Sequence, residues 1–126
     1  MLLTMKQFLF VLALSCILAC SKDEGDTSKP VITLNSPTAN QQFAALSTVT
    51  ISGTVADDDE IHEVHIEVTN KTNSTAVLHV QEHVDANSYN INEGFTVQAG
   101  ITYKIHIEAH DHVGNIAVVE LEVKGI

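Results

Sequence analysis

Arginine and tryptophan are absent from this chain of 126 residues, and cysteine and proline occur only twice each. Each shortage excludes something. With no arginine, and 6 lysines against 16 acids, no basic face can form to hold a phosphate backbone, which excludes nucleic acid as a partner. The same balance argues against electrostatic docking on anionic lipid and favours the attraction of cations. Both cysteines, Cys16 and Cys20, stand near the N-terminus. Everything after them therefore lacks a disulfide, a thiol nucleophile and a thiolate metal site. The apolar run near the N-terminus is shorter than the roughly 20 residues a membrane-spanning helix needs. Helical periodicity of useful length is missing too. No G-x-S-x-G, P-loop or H-E-x-x-H occurs; His62-Glu63-Val64-His65 is one residue short of the last. These absences make a catalyst the least expected class.

The N-terminus is informative. Residues 1–19 read as a signal peptide, with Lys6 followed by the apolar run FLFVLAL. Ile17-Leu18-Ala19-Cys20 resembles the lipobox of bacterial lipoproteins, which are cut before the cysteine and acylated on it. The resemblance implies lipidation at Cys20, with Cys16, after Ala13-Leu14-Ser15, as the weaker alternative. Several acyl chains on one cysteine anchor stably where a single chain is marginal. Ser21-Lys22-Asp23-Glu24 resembles the acidic surface-export signal of lipoproteins in one large group of Gram-negative bacteria. The implied address is the outer membrane, with the domain exposed at the cell surface or, alternatively, facing the periplasm. Residues 20–29 form a polar, charged tether. Cleavage after residue 19 would remove one lysine and no acid, leaving a net charge of −11.

Residues 30–126 suffice for one small domain. Apolar and polar residues alternate over 31–34, 49–56, 63–68, 76–84, 89–91, 95–97, 101–109 and 117–123. Turn-forming residues separate these segments. Seven to eight such strands predict an all-β, antiparallel β-sandwich. The segment from Thr102 to Asn115, with its tyrosine at 103 and its Asp111-His112-Val113-Gly114-Asn115 turn, resembles the closing hairpin of bacterial Ig-like domains. Tyr103 would take the tyrosine-corner position of that fold, and Gly114 a turn position with positive φ. The opening PVITLNSPTANQQF is similar to the first strand of such domains. The core tryptophan and cysteine pair of antibody domains are lacking, so an antibody-like role is not implied. The whole chain also resembles a lipoprotein family that carries an Ig-like domain of unknown function. That likeness implies a fold and an address but no activity.

The histidines then stand out. Strand alternation puts Tyr103, Ile105, Ile107 and Ala109 in the core, which turns His106, Glu108 and His110 outward. Matching apolar faces pairs Ile107 with Val119, Ile105 with Leu121 and Tyr103 with Val123, leaving His106 opposite Glu120. The same matching pairs Val64 with Val80 and Ile66 with Leu78, which sets His65 opposite His79. If His65 and His106 are level, one rung would run His79–His65–His106–Glu120, flanked by His83 and His110. Imidazoles on adjacent strands about 5 Å apart can share one ion, and Zn²⁺ or Cu²⁺ suits them. This face is the candidate transition-metal site.

Ig topology also gathers acidic loops at one pole. Asp57, Asp58 and Asp59 are expected there with Asp85, Asp111 and Asn115, an oxygen set suited to Ca²⁺. His62 and His112 belong to the same pole. The expected function is a membrane-anchored, non-catalytic binding or display module. A protein or glycan partner would meet its histidine face or its acidic pole. The alternatives are a Zn²⁺- or Cu²⁺-binding module and a structural accessory subunit.

Overall fold

The computed structural model describes residues 25–126. The expected signal peptide, Cys20 and the first residues of the expected tether lie outside the described residues. Six strands make up the domain: β1 (Val31–Ser36), β2 (Gln41–Phe43), β3 (Thr48–Asn70), β4 (Thr75–Thr96), β5 (Thr102–Asp111) and β6 (Ile116–Gly125). They form one sheet that curls on itself, in the order β1-β3-β5-β6-β2, with β4 paired to β3.

Two long strands replace several of the shorter ones the sequence predicts. The first half of β3 lies between β1 and the second half of β4. Its second half lies between β5 and the first half of β4. Each long strand thus serves both layers of the sandwich. The acidic run Asp57–Glu60 is not a free loop. It lies within β3, where the pairing with β4 is interrupted between Ala56 and Ile61. Strand β2 was not legible in the sequence; its three residues pair in parallel with Val123, Lys124 and Gly125 of β6.

Alternation fixes what is buried. Val49, Ile51 and Val55 from the first half of β3 meet Val64, Ile66 and Val68 from the second half. Ile105, Ile107 and Val123 join them, as do Ile91 and Phe95 of β4. Gly53 keeps the inward parity of β3, and a Cβ there would come 2.3 Å from the Thr33 carbonyl oxygen. Glycine is therefore what lets β1 approach so closely. Tyr103 is almost fully buried, and its hydroxyl accepts a hydrogen bond from the Gln98 backbone N–H at 3.0 Å. That bond ties strand β5 to the preceding turn, as the tyrosine corner requires. Gly114 takes φ +95° in the β5–β6 turn, as expected.

Candidate functional site

The β5–β6 register is the one apolar matching gave. Tyr103 pairs with Val123, Ile105 with Leu121, His106 with Glu120 and Ile107 with Val119. The β3–β4 register is not. Ile66 pairs with Val80 and Val68 with Leu78, a shift of two residues from expectation. His65 consequently faces Gln81, and His79 faces Glu67. On the other side of β3, Glu67 pairs with His106, His65 with Glu108 and Glu63 with His110. The expected rung His79–His65–His106–Glu120 does not form. It is corrected to His79–Glu67–His106–Glu120.

The result is a checkerboard. Across β4, β3, β5 and β6 the next rung reads Gln81–His65–Glu108–Val118, and the one after it His83–Glu63–His110–Ile116. Imidazoles and carboxylates alternate along strands and across them. His106 Nδ1 lies 2.7 Å from Glu120 Oε1, and His106 Nε2 lies 3.5 Å from Glu108 Oε2. His110 Nε2 bonds the other Glu108 oxygen. His79 Nδ1 is 3.5 Å from Glu67 Oε2, and His83 Nδ1 is 3.8 Å from Glu63 Oε1. His65 Nε2 lies 2.9 Å from Glu63 Oε2, close enough for an ion pair but poorly aligned for a hydrogen bond. The rings of His65 and His110 are 5.5 Å apart, centroid to centroid. On β6 the same rungs end in Ile116 and Val118, both exposed. Their outward parity follows from Glu120, so the sequence carried that signal.

These contacts set the carboxylates. The hydrogen bond from His110 holds Glu108 below the usual carboxylate range despite partial burial. His106, then Lys104, does the same for Glu120. Glu63 is lowered first by its bond from Gln81 and then by His65. A carboxyl whose folded pKa is depressed binds fewer protons folded than unfolded. Its contribution is complete above the unfolded value, about 4.3 for glutamate, and fades as pH falls through the folded value. Thermal melts of the wild type should therefore hold their midpoint down to about pH 5 and lose it below. A Glu108→Gln/Glu120→Gln variant should show a shallower acid slope. The difference between the two curves isolates these pairs from the relief of the domain's overall negative charge. Parallel curves would refute this assignment.

The acidic pole divides into three groups. Asp57 and Asp58 lie with Asp26, their oxygens within 4.8 Å of one another. The Asp59 backbone N–H donates to Asp57 Oδ1 at 2.9 Å. Asp111 is buried and committed to its own turn, where its Oδ1 accepts from Val113 N at 2.9 Å and Asn115 N at 2.7 Å. The Asn115 amide donates to its Oδ2 at 2.5 Å. Burial pushes the Asp111 carboxyl up, but the hydrogen bonds from Asn115, Val113 and Gly114 outweigh it and hold it down. Asp85 joins neither group. It lies beside His62 and His112.

The six residues expected of a metal face, His65, His79, His83, His106, His110 and Glu120, do share that outer face. Among the described residues, though, no three donors on it lie within 4.8 Å of one another. Carboxylates stand between the imidazoles and pair with them.

Comparison with known proteins bears on the fold. A search of curated proteins returned no match. Among solved structures, the superoxide reductase (neelaredoxin) of Ignicoccus hospitalis superposes with a TM-score of 0.55 at 8% identity, over 79% of this chain and 81% of that one. The fibronectin(III)-like modules of Clostridium thermocellum CbhA give 0.49 at 20% identity, over 75% of this chain and 94% of theirs. At 8% identity the first of these likenesses speaks for the fold alone. The bacterial Ig domain model matches residues 30–92, half of the chain. With the curled sheet and the tyrosine corner on β5, the conclusion is direct: the chain belongs to the bacterial Ig domain family.

Proposed function

We propose that this chain is a lipid-tethered, non-catalytic binding module. It would be anchored in the outer membrane through Cys20 and displayed at the cell surface. It would meet a protein or glycan partner with the outer face of β4, β3, β5 and β6. The observation that carries this reading is the checkerboard with Ile116 and Val118 at its margin. Exposed ion pairs contribute little to folding, and the core is complete on the opposite side of the same strands. A regular array of donors, acceptors and an apolar margin is what a docking surface offers. Capture of Zn²⁺ or Cu²⁺ on this face is the competing reading. It is favoured by the His65–His110 ring pair and by the approach of His83 to His62, while His79 and His106 face carboxylates.

Two measurements on cells test the proposal. Cys20→Ser should move the protein from the membrane fraction to the soluble fraction; retention would overturn the tether at that residue. Cross-linking on intact cells should give partner adducts that a His79→Ala/His106→Ala variant loses while keeping its melting temperature. An unchanged adduct pattern would remove the face from the binding role.

A further inference from the structure

A second site lies at the edge of the checkerboard, where the ring of His62 meets that of His83 at 4.6 Å between centroids, and it goes beyond the docking role. It begins with a break in strand parity. Ile61 and Val64 are both buried, although they are three residues apart. A bulge absorbs the extra residue: Ile61 pairs with Asp111 and Glu63 with the adjacent His110, so His62 has no partner on β5. On β4 the same interval holds Val84 and Asp85, between the pairs Glu63–His83 and Ile61–Ala86. Asp85 sits at φ 47°, in the left-handed region. Bulges re-aim side chains. This one turns His62 and Asp85 towards the β5–β6 turn, where His112 stands.

The three donors converge. His112 Nε2 lies 3.1 Å from Asp85 Oδ1, and His62 Nδ1 lies 3.8 Å from the same oxygen. Ligand atoms of each residue all lie within 4.8 Å of one another. In a tetrahedral zinc site with bonds near 2.0–2.1 Å, neighbouring ligand atoms are about 3.3 Å apart; the two separations from Asp85 Oδ1 bracket that spacing. His62 Nδ1 is also shut off from solvent with no hydrogen-bond partner among the described residues. That orphaned nitrogen points at Asp85, where an ion would satisfy it. Glu60 lies 3.8 Å from His112 Nε2 but does not join the set of three.

We propose that His62, Asp85 and His112 form a binding site for one divalent transition-metal ion of the zinc class. Two imidazoles and one carboxylate leave a coordination position open, as in zinc sites that keep a water or accept an exogenous ligand. The side chains are 40%, 62% and 41% exposed. The ion would therefore exchange with solvent, in contrast to a closed structural site. The acidic surface would raise the local concentration of cations.

The test is calorimetric titration of the full chain in detergent, stripped with chelator, with Zn²⁺. One ion per chain is expected. Asp85→Asn and His112→Gln should each weaken binding by about tenfold or more, with the metal-free melting temperature kept. Asparagine tolerates the left-handed backbone at position 85, and position 112 is an exposed turn, so neither variant should compromise folding. His65→Ala should leave the affinity as it is. Full affinity in both pole variants, loss of affinity in His65→Ala, or no zinc binding by the wild type would each overturn the proposal. Calcium displacing zinc from the chain would overturn it too, because that would make the site an oxygen cage. A failure of the face to bind a partner leaves all of these readouts in place.

Discussion

Tyr103→Ala is expected to remove a large share of the domain's stability. The ring is 1% exposed, packs at 5.3 Å and 58° against Phe95, and closes the core beneath β5. Truncating a buried aromatic costs about 3–5 kcal/mol, while a domain of this size has about 5–15 kcal/mol in all. Chemical denaturation should show the midpoint falling in proportion to that loss. Tyr103→Phe separates packing from the hydroxyl. It keeps the ring and leaves the Gln98 N–H without its acceptor. About 1 kcal/mol should be lost, a fall in melting temperature of roughly 4–8 °C. Equal losses in the two variants would show that the ring carries little and the corner bond nearly everything.

The second large effect belongs to Asp111. This carboxylate organises the β5–β6 turn from within. Asp111→Ala removes the acceptor for two backbone N–H groups and the Asn115 amide at once. Hydrogen bonds to an ionised group contribute about 1.5–3 kcal/mol each, and they act together here. A loss of about 3 kcal/mol is expected. Asp111→Asn keeps an acceptor oxygen in place and should cost about 1 kcal/mol. The same pair of variants bears on zinc. The turn carries His112, so Asp111→Ala should weaken zinc binding as well, and Asp111→Asn much less.

These residues also show where a sequence can be read and where it cannot. The β5–β6 register was legible because one tight turn and an unbroken run of apolar partners leave a single solution. Between β3 and β4 the apolar positions 64, 66 and 68 can match 78 and 80 in two ways. A slip of two residues keeps every side chain on its own face, so burial cannot choose between them. The turn at Lys71–Ser74 and the irregularity after Val68 decide it. That choice exchanges an imidazole opposite an imidazole for an imidazole opposite a carboxylate. The whole character of the face hangs on it. The zinc-class site escaped for a related reason. Its residues were placed at one pole, with Asp85 counted among oxygen ligands beside Asp111, and the uneven spacing of Ile61 and Val64 was the signal of a bulge. Only the pairing on both flanks of β3 shows that Asp85 swings towards His62 and away from Asp111.

Strand β2 has a consequence for delivery. Gln41–Phe43 lies early in the chain, and its parallel partner is Val123–Gly125, about 80 positions later; such closure is among the most non-local contacts a chain this long can make. The β3–β4 and β5–β6 hairpins can assemble from neighbours. A polypeptide that crosses a membrane with its N-terminus leading brings β2 out early and β6 near the end. Throughout that interval Gln41–Phe43 must stay unpaired. This short strand, among the first to emerge, is thus the last to lock, and the domain seals only when β6 arrives.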